Sequence, residues 1–211
     1  MSKESLSLSG AVLAGGESRR MGRDKAMLGW NEEPLWMRQR QVLIESGAQP
    51  VTVVRKHDQP PLGGNVQLLH DTVDGAGPLA GLHAALLACQ THLLAVLAVD
   101  LPRIDPAWFR WLSGFCRPGV GAVARSPAGF EPLAAIYPRE ALATVTSHLR
   151  LKDRSLQHLV TALMQVHRLV AVPLPENEHC RLLNWNTPDD IRVGSPKNRV
   201  CQEQAKVDPD A

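Results

Sequence analysis

One segment of the chain, residues 93–99, constrains the fold more than any other because it is apolar without interruption. It reads LLAVLAV and is bounded by His92 and Asp100. A strand with one face in water alternates apolar and polar residues, whereas a strand covered by helices on both faces does not. We therefore predict that residues 93–99 form the central strand of a sheet with helices on both of its faces.

The rest of the chain alternates short apolar runs with segments of helical period, which is typical of repeated strand–helix units. Three predicted helices open with a proline, which suits the first helical position. The predicted helices cover residues 34–46, 78–89, 106–115 and 154–166. The predicted strands cover residues 11–13, 51–54, 66–69, 93–99, 120–124, 133–137 and 169–173.

This order of elements predicts a single-domain α/β fold, a Rossmann-like three-layer sandwich with a mostly parallel sheet. The sequence shows no internal repeat and no linker between domains, so we expect one domain over residues 1–192. Residues 193–211 are polar and lack an apolar period. We predict that they form a disordered C-terminal tail.

Length and charge narrow the class of protein. The 211 residues are 44% hydrophobic with a formal net charge of +2, which predicts a globular domain and argues against nucleic-acid and membrane partners. Residues 1–9 are polar and serine-rich, unlike a signal peptide, and no uncharged stretch is long enough to span a bilayer. We therefore expect a cytoplasmic protein.

In an open α/β sheet, ligands bind beyond the carboxyl ends of the strands. The loop after the first predicted strand, LAGGESRRMGRDK at residues 13–25, combines two adjacent glycines with four cationic side chains. Gly15 and Gly16 let backbone N–H groups approach an anion or the edge of a base. The loop lacks both the P-loop and the GxGxxG patterns. On composition alone, a phosphate site and a glycine turn with solvated basic residues remain equal alternatives.

Five short segments in a fixed order carry a resemblance to a known family. They are LAGG with Ser18, RMG and Asp24-Lys25; HDTVDGAGPLAGLHAAL at 70–86; AVDLP at 98–102; EPLAAIYP at 131–138; and LNWNTPDD at 183–190. In this order they resemble the sugar-nucleotide-type nucleotidyltransferases, most closely the molybdenum cofactor guanylyltransferases. The resemblance covers most of the chain and favours the phosphate-site interpretation of the glycine loop.

The resemblance implies roles for particular residues. Leu13, Ala14, Gly15, Gly16, Lys25, Asp71 and Asp100 would bind the nucleotide, with Asp74 as the alternative to Asp71. Arg20, Lys25 and Asp100 would be catalytic, and Asp100 would hold Mg²⁺, the cofactor. Asn184 and Asn186 would face the acceptor. For Asp100, a helix cap or an ion pair near Arg103 is the structural alternative.

The implied reaction transfers GMP from GTP to the terminal phosphate of molybdopterin and releases pyrophosphate. GTP, molybdopterin and molybdoenzyme maturation proteins would be the partners. Two alternatives remain at this stage. One is a cytidylyltransferase of the same fold, acting on molybdopterin or on a sugar or polyol phosphate, although such relatives more often carry LAAG and Asp-x-Asp-Thr-Pro. The other is a non-catalytic nucleotide-binding cofactor carrier.

One segment departs from the family pattern. After the second predicted strand the family often has an asparagine, whereas this chain has Val54-Arg55-Lys56. The resemblance therefore assigns no nucleotide contact to this loop.

Overall fold

The structure, a computed structural model, describes residues 6–15, 24–30, 33–64 and 66–185. The predicted tail at 193–211 lies outside these residues, as do Gly16, Arg20 and Asn186. The strands are β1 (Leu8–Leu13), β2 (Gly29–Trp30), β3 (Glu33–Pro34), β4 (Val51–Arg55), β5 (Leu68–His70), β6 (Leu93–Ala98), β7 (Gly121–Ser126), β8 (Gly129–Phe130), β9 (Ala134–Pro138) and β10 (Leu169–Pro173). The α-helices are α1 (Leu35–Glu45), α2 (Pro78–Ala88), α3 (Pro106–Ser113), α4 (Leu142–Leu149) and α5 (Leu156–Gln165).

Within the described residues, eight strands form one mixed sheet. Seven of them follow the order β10, β7, β9, β6, β1, β4, β5, and β8 pairs with β7. Strand β1 is parallel to both β6 and β4, and β4 is parallel to β5. Strand β9 runs antiparallel to its neighbours β6 and β7, while β10 is parallel to β7. The predicted α/β fold with a mostly parallel sheet is confirmed.

Helices cover both faces of this sheet. Helices α1 and α3 pack on one face, and α2, α4 and α5 pack on the other. Strand β6 supplies both cores, because Ala95 and Leu97 point to one face while Leu94 and Val96 point to the other. All six residues of β6 are buried, which explains why the segment is apolar without interruption.

The short strands β2, β3 and β8 were not predicted, and two larger features also differ from the sequence-based expectation. Residues 133–137 were expected to be one more strand of a mostly parallel sheet, but β9 runs antiparallel in the middle of it. Helix α4 was not predicted. Its sequence, LATVTSHL, contains three β-branched residues, which lower helix propensity. The helix forms because Val145 and Leu149 are buried in the core on the α2 face.

Candidate active site

A cavity of about 270 Å³ lies at the carboxyl ends of β1, β4, β5 and β6. Its walls contain residues from four of the sequence segments singled out above. The lining residues are Leu13, Gly15, Lys25, Val54, Lys56, Asp71, Gly77, Pro78, Gly81, Ala98, Val99, Asp100 and Leu133. The fold therefore brings Leu13, Gly15, Lys25, Asp71 and Asp100 to one cavity, although up to 87 positions separate them in the sequence.

The glycine loop, residues 13–25, begins where β1 ends. The Ala14 N–H donates to the carbonyl of Val54 at 2.9 Å, which extends the pairing with β4 by one residue and buries Ala14 behind the cavity wall. Gly15 follows at the cavity surface. A β-carbon at Gly15 would lie 3.5 Å from Oδ2 of Asp71 and 3.5 Å from Cγ of Lys56. The missing side chain leaves this part of the cavity open.

Asp71 lies between two glycines. Its Oδ2 is beside Gly15, and its Oδ1 would lie 3.3 Å from a β-carbon at Gly81 of helix α2. The Asp71 N–H donates to the Arg55 carbonyl at 3.0 Å, so the residue continues the pairing of β5 with β4. Partial burial raises the pKa of the Asp71 carboxyl, and the nearby Lys56 ammonium opposes this shift. Asp74 is exposed and does not line the cavity.

The amino end of helix α2 closes the same side of the cavity. Gly77 precedes it with φ 61° and ψ −151°, a conformation that is essentially restricted to glycine. Pro78 occupies the start of the helix. Because the amino end of a helix carries a partial positive charge, it favours the ionised form of the neighbouring Asp71 carboxylate, which adjoins Gly81 in the first turn of α2.

Lys25 and Asp100 form an ion pair at the other end of the cavity. Lys25 Nζ donates to Asp100 Oδ2 at 3.4 Å, and the side chains are 13% and 28% exposed. Asp100 follows β6 by two residues, and Lys25 opens a short 3₁₀ helix, Lys25–Met27. A cation and a carboxylate that both keep access to the cavity can contact phosphate oxygens and a metal ion.

An ion pair between the buried Arg55 and the partly exposed Asp24 stabilises the start of this 3₁₀ helix. Arg55 ends β4 and is 1% exposed, and its guanidinium pairs with Asp24 Oδ2. Asp24 Oδ1 accepts from the Ala26 N–H at 3.0 Å and so caps the 3₁₀ helix. Asp24 thus links the end of β4 to the 3₁₀ helix that begins with Lys25.

Sequence reasoning missed both Arg55 and Lys56. The signal for Arg55 was present, since a charged residue within the apolar strand VTVVR needs a buried partner. Lys56 follows directly and lines the cavity.

The C-terminal segment reaches the Asp100 end of the site. The Trp185 N–H donates to the Asp100 carbonyl at 2.9 Å, and the Trp185 side chain is buried. Its neighbour Asn184 is exposed and is not among the residues that line the cavity. The predicted acceptor role of Asn184 stays a prediction.

Comparison with known proteins decides the family. The family profile of the MobA-like NTP transferase domain matches residues 10–172, which include the glycine loop with its Lys25, and also Asp71 and Asp100. The chain belongs to this family. It is thus a nucleotidyltransferase, and the family predicted from the five segments is confirmed.

Curated relatives within the family agree. The chain is 52% identical over 193 residues to a probable molybdenum cofactor guanylyltransferase of Opitutus terrae, covering 90% of this chain and 96% of the relative. It is 31% identical over 184 residues to the molybdenum cofactor guanylyltransferase of Pseudomonas entomophila, covering 84% and 93%.

Solved structures share the family's fold. Molybdopterin-guanine dinucleotide biosynthesis protein A of Archaeoglobus fulgidus superposes with a TM-score of 0.69 at 22% identity, covering 89% of this chain and 96% of that one. The 2-C-methyl-D-erythritol 4-phosphate cytidylyltransferase of Thermus thermophilus superposes with a TM-score of 0.66 at 16% identity, covering 90% and 98%. These similarities establish the fold, which proteins named for guanine and for cytosine nucleotides share.

In the part of the chain that the structure describes, none of the helices combines the length and the apolar character that a membrane span requires.

Proposed function

We propose that this nucleotidyltransferase transfers GMP from GTP to the terminal phosphate of molybdopterin and releases pyrophosphate. The observation that carries the proposal is the cavity in which Gly15, Lys25, Asp71 and Asp100 meet, in a chain 52% identical to a relative named for this reaction. We also propose that the protein is cytoplasmic and that molybdoenzyme maturation proteins are among its partners.

The reaction joins a phosphate oxygen of molybdopterin to the α-phosphorus of GTP and breaks the bond to the β-phosphate. The attacking oxygen is already ionised near neutral pH, so the protein need not supply a nucleophile. Catalysis then consists of alignment and of stabilising charge on the departing pyrophosphate. Lys25 has the charge and position for this role. We assign the same role to Arg20, which lies outside the described residues.

The donor set at Asp100 fits Mg²⁺. This ion prefers oxygen ligands and is commonly held by one or two carboxylates together with substrate phosphates. Asp100 offers one carboxylate, 28% exposed, at the end of the cavity where Lys25 also lies. Bound there, Mg²⁺ would neutralise charge on the phosphate oxygens. Asp100 would orient the ion, while Lys25 would balance the remaining negative charge.

We expect both Lys25→Ala and Lys25→Arg to lower kcat/KM for GTP by about 10- to 100-fold, the range for a lost hydrogen bond to a charged group. The arginine variant keeps the charge, but its planar guanidinium cannot occupy the position of the ammonium. Steady-state pyrophosphate release measures the effect. Lys152, exposed between α4 and α5, provides the control variant Lys152→Ala. Unchanged kcat and KM in both Lys25 variants would place the triphosphate elsewhere.

The proposed function is tested by pyrophosphate release from each of the four nucleoside triphosphates, with molybdopterin and Mg²⁺ present. We expect GTP to be the preferred substrate. Higher kcat/KM with CTP would favour the cytidylyltransferase alternative. Tight GTP binding without pyrophosphate release would favour a non-catalytic carrier, which calorimetry on the same preparation would detect.

A further inference from the structure

Lys56 is a second cationic side chain in the cavity wall, at the end opposite Lys25. Lys56 directly follows β4, and its Cγ lies 3.5 Å from the position that a β-carbon of Gly15 would occupy. The Lys56 N–H donates to Gln59 Oε1 at 3.0 Å, which fixes the backbone where the side chain leaves it. Lys56 therefore lines the cavity beside the glycine loop.

Lys56 lies close enough to Asp71 for its charge to influence the Asp71 carboxyl electrostatically. Its positive charge lowers the pKa of the Asp71 carboxyl, against the larger effect of burial. Both residues adjoin Gly15, and Asp71 also adjoins Gly81, so no β-carbon separates the carboxylate from the cavity. The order of the strands places this pair beyond β4 and β5, on the far side of β1 from Asp100.

The two ends of the cavity thus suit different parts of a nucleotide. If the phosphates lie at Lys25 and Asp100, as proposed above, the nucleoside points toward Lys56 and Asp71. A carboxylate only accepts hydrogen bonds, and an ammonium only donates them. Guanine presents a carbonyl oxygen beside two neighbouring N–H donors. Cytosine presents one amino donor followed by two acceptors, so it cannot satisfy both side chains in the same way.

We propose that Lys56 determines base specificity: its ammonium donates to the guanine carbonyl oxygen, while the Asp71 carboxylate accepts from the adjacent N–H groups. This assignment rests on the proposed guanylyl transfer. A base that leaves such polar groups unpaired is strongly disfavoured, because their lost hydration is not replaced. Lys56 then supplies a contact from the loop in which this chain lacks the asparagine common in the family.

The test compares Lys56→Met with the charge-matched control Lys152→Met, whose lysine is exposed and does not line the cavity. Pyrophosphate release is measured with GTP and CTP in the presence of molybdopterin. We expect Lys56→Met to lower kcat/KM for GTP by about 10- to 100-fold. The value for CTP should not fall and should rise to the extent that cytosine leaves the Lys56 ammonium unpaired in the wild-type protein. The GTP-to-CTP ratio therefore falls by at least the factor lost with GTP, and the control keeps the wild-type ratio.

A second measurement identifies the contacted atom. In 6-thio-GTP, sulfur replaces the guanine carbonyl oxygen and accepts hydrogen bonds weakly. The wild-type protein should use this analogue less well than GTP, while Lys56→Met should use both equally. A Lys56→Gln variant, which keeps a donor, should fall between the two and serves as the test if Lys56→Met does not fold.

The outcomes separate this inference from the function on which it rests. If Lys56→Met lowers GTP and CTP use by the same factor, Lys56 does not select the base, and guanylyl transfer stands. Discrimination against 6-thio-GTP that survives in the variant also overturns the assignment. If the wild-type protein releases no pyrophosphate from GTP, the proposed function and this inference both fail.

Discussion

Replacing Asp100 with alanine is expected to lower turnover with GTP by a factor of roughly 10² to 10³, the typical effect of losing a single preorganised electrostatic group. Asp100 follows the central strand and keeps a side chain that is 28% exposed at the cavity. The variant loses the proposed Mg²⁺ ligand and the partner of Lys25, while the buried residues of β6 are untouched. Pyrophosphate release measured across a range of Mg²⁺ concentrations checks the effect.

Asp58→Ala is the matched control for this variant. Asp58 is exposed in the turn after β4 and does not line the cavity, so the variant removes the same charge from the same edge of the sheet. We expect it to retain wild-type turnover. Thermal unfolding should show similar midpoints for Asp100→Ala and the wild-type protein. Near-normal turnover of Asp100→Ala at limiting Mg²⁺ would remove Asp100 from the reaction.

Replacing Arg55 with methionine is expected to lower the free energy of unfolding by about 3 kcal/mol, the lower end of the range for breaking a buried ion pair. The lower end applies because the Asp24 side chain is 17% exposed and keeps some contact with water. The variant leaves the Asp24 carboxylate without its guanidinium partner, and Asp24 caps the 3₁₀ helix that carries Lys25. Urea unfolding of the variant measures the loss.

A double variant tests whether the loss arises from the pair. In Arg55→Met with Asp24→Asn, the uncompensated charge is absent, so the protein should recover part of the lost stability. The two single effects should therefore not add. Fully additive losses would show that Arg55 stabilises the protein through packing alone.

The sequence predicted most of the fold because burial on both faces leaves a clear pattern. The uninterrupted apolar run of β6 indicated helices on both sides, and the prolines at 78 and 106 marked the starts of α2 and α3. The direction of β9 left no such pattern. All five of its residues are buried, and they would be equally apolar in a parallel strand.

From the sequence, the candidate site was predictable only at residues that lie in the segments resembling the family. Lys25, Asp71 and Asp100 stand in segments that resemble the family, and the structure brings them to one cavity. Arg55 and Lys56 stand where the chain departs from the family pattern. Arg55 is positioned by its ion pair with Asp24, and Lys56 lies beside Gly15, as Asp71 does; no short sequence segment contains these tertiary relations.

The reversed direction of β9 decides where this protein can accept added sequence. Because β9 runs opposite to β6, the residue before it, Leu133, lies at the edge of the sheet that contains the cavity. The residue after it, Arg139, lies at the far edge, where its N–H donates to the His92 carbonyl at 3.0 Å. An insertion between β8 and β9 would therefore lie at a wall of the cavity. At the opposite edge, β9 passes directly into the 3₁₀ helix Arg139–Ala141 and then into α4. Because Ala141 is fully buried, an insertion directly after β9 would interrupt packed structure, so neither end of β9 is a neutral site for a reporter domain.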